Sequence, residues 1–169
     1  MRKLIFLTAL AVPVFLASCG GDQTKNESAT SSTETTDTLP EVETPVSNTI
    51  EISGNDQMKF NLQEIKVKAG EQVTLTLKNN GTLAKQAMGH NFVLLAPGTD
   101  VEAFAMKAMT KQDADYIPSE MNASILAHTK LLGPGESDTI TFTVPKGEYE
   151  FICSFPGHWG TMRGKLIAE

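Results

Sequence analysis

From Thr49 onward, apolar and polar residues alternate in short runs separated by turn-forming residues. Ile50-Glu51-Ile52, Phe60-Asn61-Leu62, Ile65-Lys66-Val67 and Val73-Thr74-Leu75-Thr76-Leu77 each repeat every second residue. That period places one face of a strand on a core and the other in water. Asn79-Asn80-Gly81 breaks the chain, and Phe92 to Leu95 is a short, continuously apolar run stopped by Pro97-Gly98. Ile140-Thr141-Phe142-Thr143-Val144 alternates again and is closed by Pro145-Lys146-Gly147. Tyr149 to Cys153 and Gly164 to Ile167 complete the set. Short strands at this spacing predict an all-β sandwich or barrel. One stretch departs from it. Val101 to Thr110 has apolar residues at helical spacing, with Thr99 or Asp100 as N-cap, and predicts a short helical insertion around 99–112. Met106 and Met109 within it read as packing residues.

The first 48 residues carry no such pattern. Arg2 and Lys3 precede an apolar stretch from Leu4 to Leu16 that is too short to span a membrane stably. Residues 1–18 therefore read as a secretory signal peptide. It ends in Leu16-Ala17-Ser18-Cys19, which resembles the lipobox of bacterial lipoproteins and makes Cys19 the expected lipidated residue; the alternative is an ordinary signal peptide. Residues 19–48 are rich in Ser, Thr, Glu, Asp and Pro and almost devoid of large apolar side chains. Such a segment cannot bury enough surface to offset its ordering entropy, so it reads as a disordered acidic linker. Its root-mean-square span is on the order of 30 Å. Residues 49–169 form the single expected globular domain.

Charge is unevenly spread across these parts. Of the 14 basic and 20 acidic residues, the linker holds one lysine and six acids, and residues 49–169 hold eleven basic and fourteen acidic groups. The domain is mildly acidic with no basic stripe, which argues against nucleic acid as a partner. With Cys19 acylated, Cys153 has no partner in its own chain. A lone thiol in an exported protein is open to oxidation unless it is buried or a bound metal occupies it.

The residues around Cys153 favour the metal. Cys153-Ser154-Phe155-Pro156-Gly157-His158-Trp159-Gly160-Thr161-Met162 sets a thiol, an imidazole and a thioether on one loop, and His90 lies upstream in Met88-Gly89-His90-Asn91. Two histidines, a cysteine and a weak methionine form the ligand set of a blue-copper electron-transfer site. Thiolate and thioether suit Cu(I), and imidazole suits either oxidation state. Met88 and Met121 are further thioether candidates. His128, in Leu126-Ala127-His128-Thr129, lacks such neighbours and reads as a surface or turn histidine.

With those motifs on the page, residues 49–169 resemble azurins, members of the cupredoxin (blue-copper) family. The similar segments are Asn55 to Phe60, Met88 to Asn91, Ala127 to Lys130 and Cys153 to His158. The Cys-x4-His-x3-Met spacing is that of azurins and auracyanins rather than of plastocyanin. The resemblance implies a Greek-key β-sandwich and one copper ion cycling between Cu(I) and Cu(II). It implies His90, Cys153 and His158 as ligands, Met162 as a weak axial ligand and the Gly89 carbonyl as a second weak one. It further implies that Asn91 pins the ligand loops together, with Ser154 beside it, and that the Phe155 N–H bonds the cysteine sulfur. An apolar docking patch around His158 would comprise Met58, Leu83, Met88, Pro156 and Gly157, with Trp159 adjoining.

The departures are specific. Neither cysteine of the azurin disulfide is present, and Ala69-Gly70-Glu71 stands at the place of one. Phe92 replaces a buried tryptophan, Trp159 stands where azurins have a small residue, and Asn79 replaces a histidine that some azurins carry. The expected function is one-electron transfer, without conversion of a small-molecule substrate, between transient redox partners at a membrane or in the periplasm. The lipid on Cys19 would anchor the chain at the periplasmic side or the cell surface. The competing readings are a copper storage or delivery protein and, more distantly, a thiol enzyme using Cys153 and His158.

Overall fold

The computed structural model describes residues 44–169. The signal peptide, Cys19 and all but the last residues of the linker lie outside the described residues. Eight strands form two sheets. β1 (Thr49–Gly54), β3 (Val73–Asn79) and β6 (Ser137–Phe142) make a three-stranded sheet in the order β1-β3-β6. β2 (Glu64–Val67), β8 (Arg163–Ala168), β7 (Gly147–Ile152), β4 (Val93–Leu95) and β5 (Ile125–His128) make a five-stranded sheet in that order. The β1–β3 and β2–β8 pairs are parallel and the others antiparallel.

The alternation does what the pattern predicts. Val73, Leu75 and Leu77 are fully buried while Thr74, Thr76 and Lys78 between them are half-exposed. The inner faces of both sheets join one contiguous core. Its aromatic centre is Phe92 stacked on Phe151 at 5.1 Å, with Phe60 edge-on to Phe151 at 5.7 Å. Phe92, in place of a tryptophan, is fully buried there. β4 is buried along its whole length, as expected of a strand with neighbours on both edges and core on both faces.

Several details differ from expectation. Phe60-Asn61-Leu62 is no strand: it contributes a single bridge from Phe60 to Gly54, and its alternation reflects Phe60 reaching into the core. β5 carried no clear pattern because Leu126 and His128 face outward at the sheet edge. A one-turn helix, α1 (Lys85–Met88), precedes the first histidine. The insertion is α2 (Val101–Ala108) followed by 3₁₀ turns at Gln112–Ala114 and Ser119–Ser124. Asp100 is its N-cap, accepting the Ala103 N–H at 3.0 Å. Val101, Phe104, Ala105 and Ala108 form its buried stripe. Met106, 55% exposed, and Met109, 41% exposed, lie off that stripe, so their packing role is corrected: they face solvent.

Where the disulfide is missing, backbone hydrogen bonds hold the turn. The Ala69 N–H donates to the Glu169 carbonyl and the Gly70 N–H to the Val144 carbonyl, each at 2.9 Å. Gly70 is left-handed at φ 74°, which glycine adopts without steric cost.

Candidate metal centre

The sheet register brings the donors together. β4 and β7 are antiparallel, with Val93 opposite Ile152, so the start of β4 lies beside the end of β7. His90 just precedes β4 and Cys153 just follows β7, which puts both at one end of the sandwich. β7 and β8 are also antiparallel, with Ile152 opposite Arg163. The 153–162 loop therefore returns on itself, and the Cys153 N–H donates to the Met162 carbonyl at 2.9 Å. His158 lies within that loop between two turns: its N–H donates to the Phe155 carbonyl at 3.1 Å, and its carbonyl accepts the Met162 N–H at 2.8 Å.

One donor atom each from His90, Cys153 and His158 lies within 4.8 Å of the others, and all three residues are buried. Cys153 Sγ is 3.6 Å from His158 Nδ1. The His90 and His158 rings have centroids 5.1 Å apart. His90 Nε2 pairs with the Asn55 carbonyl at 3.0 Å, which leaves Nδ1 turned inward. That Nδ1 is the one buried side-chain nitrogen or oxygen without a partner among the described residues. Such an atom is costly unless something fills the site. A soft thiolate beside two imidazoles suits copper or zinc, and a nearby thioether shifts the choice to copper.

Met162 is fully buried, and Gly54 shows where its end lies. A Cβ added at Gly54 would stand 2.5 Å from Met162 Cε and 2.8 Å from His90 Cδ2. The end of β1 is thus hollowed to admit both side chains. Gly89 is similarly confined: a Cβ there would meet the Lys85 carbonyl at 2.7 Å. Gly54 and Asn55 were missed in the sequence. Their part rests on a missing side chain and a main-chain carbonyl, and neither leaves a residue-type signal.

Asn91 links the loops directly. Its Oδ1 accepts the Ser154 N–H at 2.8 Å, and its Nδ2 donates to Ser154 Oγ at 2.8 Å and to the Asp115 carbonyl at 2.9 Å. Ser154 Oγ donates onward to the Tyr116 carbonyl at 2.8 Å. Asn79 is buried and donates through Nδ2 to the Leu132 carbonyl at 3.1 Å, the carbonyl that also accepts the His90 N–H at 3.1 Å. An amide there has no charge to gain or lose. His128 is exposed at the sheet edge, outside the His90, Cys153 and His158 group, and Met121, in the second 3₁₀ turn, is half-buried against the core.

Around His158 the patch residues differ in exposure. Leu83 is 47% exposed, Met58, Met88 and Pro156 are half-buried, and Gly157 is exposed at φ 82°. Asp56 orders this region by accepting the Thr82 N–H and hydroxyl, each at 2.8 Å. Trp159 is half-buried and packs against the core, so only part of its ring remains for the patch.

Burial dominates the titration of the donors. It pushes the Cys153 thiol up from 9.0 to about 12, although the Asn91 and Phe155 backbone N–H groups favour the thiolate. It pulls His158 down from 6.5 to about 4, with the neighbouring His90 acting in the same direction. His90 is lowered by burial too, opposed by the Asn55 carbonyl and Asp56. A cation takes the place of protons at such a site, since thiolate and neutral imidazole are the binding forms.

The family described as "Copper binding proteins, plastocyanin/azurin family" matches residues 46–169. Azurin-2 of Alcaligenes xylosoxydans xylosoxydans is 46% identical over 121 residues, covering 68% of this chain and 92% of that protein. Azurin of Pseudomonas aeruginosa is 43% identical over 126 residues, covering 71% and 84%. Outer membrane protein H.8 of Neisseria meningitidis serogroup B is 41% identical over 119 residues, covering 68% of this chain, and the match spans only 64% of the H.8 protein's length. Among solved structures, dithionite-reduced auracyanin from Roseiflexus castenholzii superposes with a TM-score of 0.67 at 36% identity, covering 74% of this chain and 99% of that one.

These pKa shifts give the metal-free protein a pH window of stability. Unfolded histidine binds its proton near 6.5 and folded His158 only near 4, so the unfolded state holds more protons between them. Stability then falls as pH drops through that range. Unfolded cysteine releases its proton near 9.0 and folded Cys153 only near 12, so stability falls again as pH rises between those values. Thermal unfolding of the metal-free protein should show a plateau between these limits. A melting temperature that kept rising from pH 7 down to pH 4 would contradict the assigned burial.

Proposed function

Because the chain belongs to the plastocyanin/azurin family of copper-binding proteins, we propose that it carries single electrons through one type 1 copper held by His90, Cys153 and His158. Met162 would add a weakly held thioether and the Gly89 carbonyl a further weak oxygen donor. The carrying observation is the cluster of three buried donors, drawn from two separate loops, with His90 Nδ1 left without any other partner.

Copper, when bound, supplies a one-electron couple between Cu(II) and Cu(I). The protein's contribution is to hold its donors in one arrangement for both states. Asn91 and Ser154 tie the His90 loop to the Cys153 loop, and the Met162 carbonyl fixes the Cys153 backbone. The Asn55 carbonyl accepts a hydrogen bond from His90 Nε2–H, which keeps the proton on Nε2 and leaves the Nδ1 lone pair free for a metal. The Phe155 N–H, directed at the sulfur, favours its thiolate form. Ligands braced in this way need little rearrangement when the electron moves.

The rival readings fit less well. A nucleophilic cysteine needs exposure and a lowered pKa, whereas Cys153 is fully buried with its thiol pushed up. A storage or delivery protein needs a site that opens, whereas these donors sit under a closed loop. Electron exchange would run through the apolar patch of Met58, Leu83, Met88, Pro156, Gly157 and the exposed part of Trp159. A small, weakly charged surface of this kind suits brief encounters with redox partners. Cys19, lipidated and followed by the acidic linker, would confine the domain near a membrane on the exported side. The match to an outer membrane protein supports that placement. A tether of this kind raises the effective concentration of membrane partners.

Addition of Cu(II) to the metal-free domain should produce an intense blue thiolate-to-copper absorption with narrow copper hyperfine splitting. Cys153→Ser should abolish both while leaving a folded domain, and a wild-type protein that stays colourless refutes the assignment. Trp159→Lys should slow electron self-exchange by at least about tenfold, because like charges then meet across the encounter, with the copper spectrum unchanged. An unaltered exchange rate would remove Trp159 from the patch. For the tether, Cys19→Ser should move the protein from the membrane fraction to the soluble exported fraction. Continued membrane retention would exclude Cys19 as the anchor.

A further inference from the structure

The two donor loops are braced by a third loop that supplies no donor. Asp115 and Tyr116 stand next to one another in the left-handed region, at φ 54° and 60°. Neither is glycine, and a side chain in this region crowds the backbone, so the surroundings must impose the conformation. Here the metal centre's own neighbours impose it. Asn91, adjacent to His90, holds the Asp115 carbonyl at 2.9 Å. Ser154, adjacent to Cys153, holds the Tyr116 carbonyl at 2.8 Å. The Tyr116 N–H closes the turn on the Lys111 carbonyl at 2.9 Å.

This turn points the tyrosine ring at the ligand loop. Tyr116 meets Phe155 edge-on, with centroids 5.0 Å apart and planes at 70°. Phe155 lies against His158, with centroids 4.7 Å apart and a tilt of 42°. Both aromatic side chains are 6% exposed. Immediately outside them is a cavity of about 160 Å³, lined by these two rings and by polar side chains that include Lys85, Gln112 and Asp115. Tyr116, Phe155 and Leu131 form its apolar side, and Phe155 is in turn packed on the buried His158 imidazole.

We propose that Tyr116 is a positioning residue of the metal centre: its strained turn, anchored on Asn91 and Ser154, presses Phe155 onto His158 and keeps the cavity's water from the donors. A tyrosine that only filled core space would need neither the left-handed turn nor the two side-chain anchors. The spectroscopic part of the test rests on the copper reading above, and the metal-free part does not.

The test compares Tyr116→Leu with Tyr116→Phe, which keeps the ring, and with Ser154→Ala, which frees the turn without emptying packed space. In the metal-free full-length protein, modification of Cys153 by a small maleimide, read by peptide mass, reports opening of that apolar side. Tyr116→Leu should be labelled about tenfold faster than wild type, equivalent to about 1.4 kcal/mol of lost closure. In the copper-loaded protein it should shift the visible band and the reduction potential. Tyr116→Phe should restore wild-type behaviour in both, and Ser154→Ala should move both in the direction of Tyr116→Leu. Wild-type labelling and spectrum in Tyr116→Leu, even with a lowered melting temperature, would reduce Tyr116 to core filler and overturn the proposal. Should Tyr116→Leu fail to fold, Tyr116→Met, which removes the ring and leaves the Asn91–Ser154 bond in place, decides by the same two readouts. A wild type that binds no copper would sink the functional reading, and the labelling rates would still decide for or against Tyr116.

Discussion

A thiol and two imidazoles buried at one end of a β-sandwich are the constraint on which the rest of this structure depends. Taken from water without partners, such groups destabilise a fold, because each buried polar atom forfeits its hydration. Asn55 satisfies one nitrogen of His90 and leaves the other bare beside Cys153 and His158. Protonation cannot relieve the cluster, since burial disfavours both imidazolium and thiolate. The arrangement makes physical sense as a copper site whose ligands are held ready before the ion arrives. The cost of holding them falls on the surrounding hydrogen bonds and packing.

Topology distributes that cost. Antiparallel pairing of β4 with β7, and of β7 with β8, brings the His90 segment and both ends of the 153–162 loop to one end of the sandwich. The rigid sheet fixes Cys153 through its backbone and His90 through the Leu132 bridge. Asn91 and Ser154 then make the two loops one body. Asn79 extends the same support by sharing the Leu132 carbonyl with His90. The domain achieves this without a disulfide, and the turn at Ala69–Gly70 is instead closed onto the end of the chain by main-chain hydrogen bonds.

How much of this was legible depended on whether the signal lay in side-chain type or in backbone. Alternation located β1, β2, β3, β6, β7 and β8, because one face of each meets a core. It misread Phe60-Asn61-Leu62, since a single anchored phenylalanine mimics a strand's period. It passed over β5, an edge strand whose outward residues include Leu126. The donor residues were legible because Cys and His are few in this chain and because Cys153, His158 and Met162 lie within one ten-residue loop. Gly54, Asn55 and the Asp115–Tyr116 turn were not, since a hollowed strand end, a carbonyl and a pair of left-handed residues have no compositional mark. Met106 and Met109 failed because spacing did not fix the buried face or the helix end: Met106 lies on the outward face of α2 and Met109 is its C-cap.

The two sides of His158 serve different ends. Its inner side faces Phe155 and, behind it, Tyr116, aromatic rings fixed by a turn that the metal centre's own hydrogen bonds hold in place. Its loop continues outward through Pro156, exposed Gly157 and half-buried Trp159, where packing is lighter. An electron carrier needs both properties, because a ligand that wandered would raise the reorganisation on each transfer, and a ligand sealed on every side would lengthen the path to a partner. Left-handed backbone at non-glycine residues occurs on both sides, at Asp115 and Tyr116 behind Phe155 and at Met58, while Gly157 in the outer loop adopts it without steric cost. Trp159 beside it is half-buried, with part of its ring packed against the core and part left on the outer side.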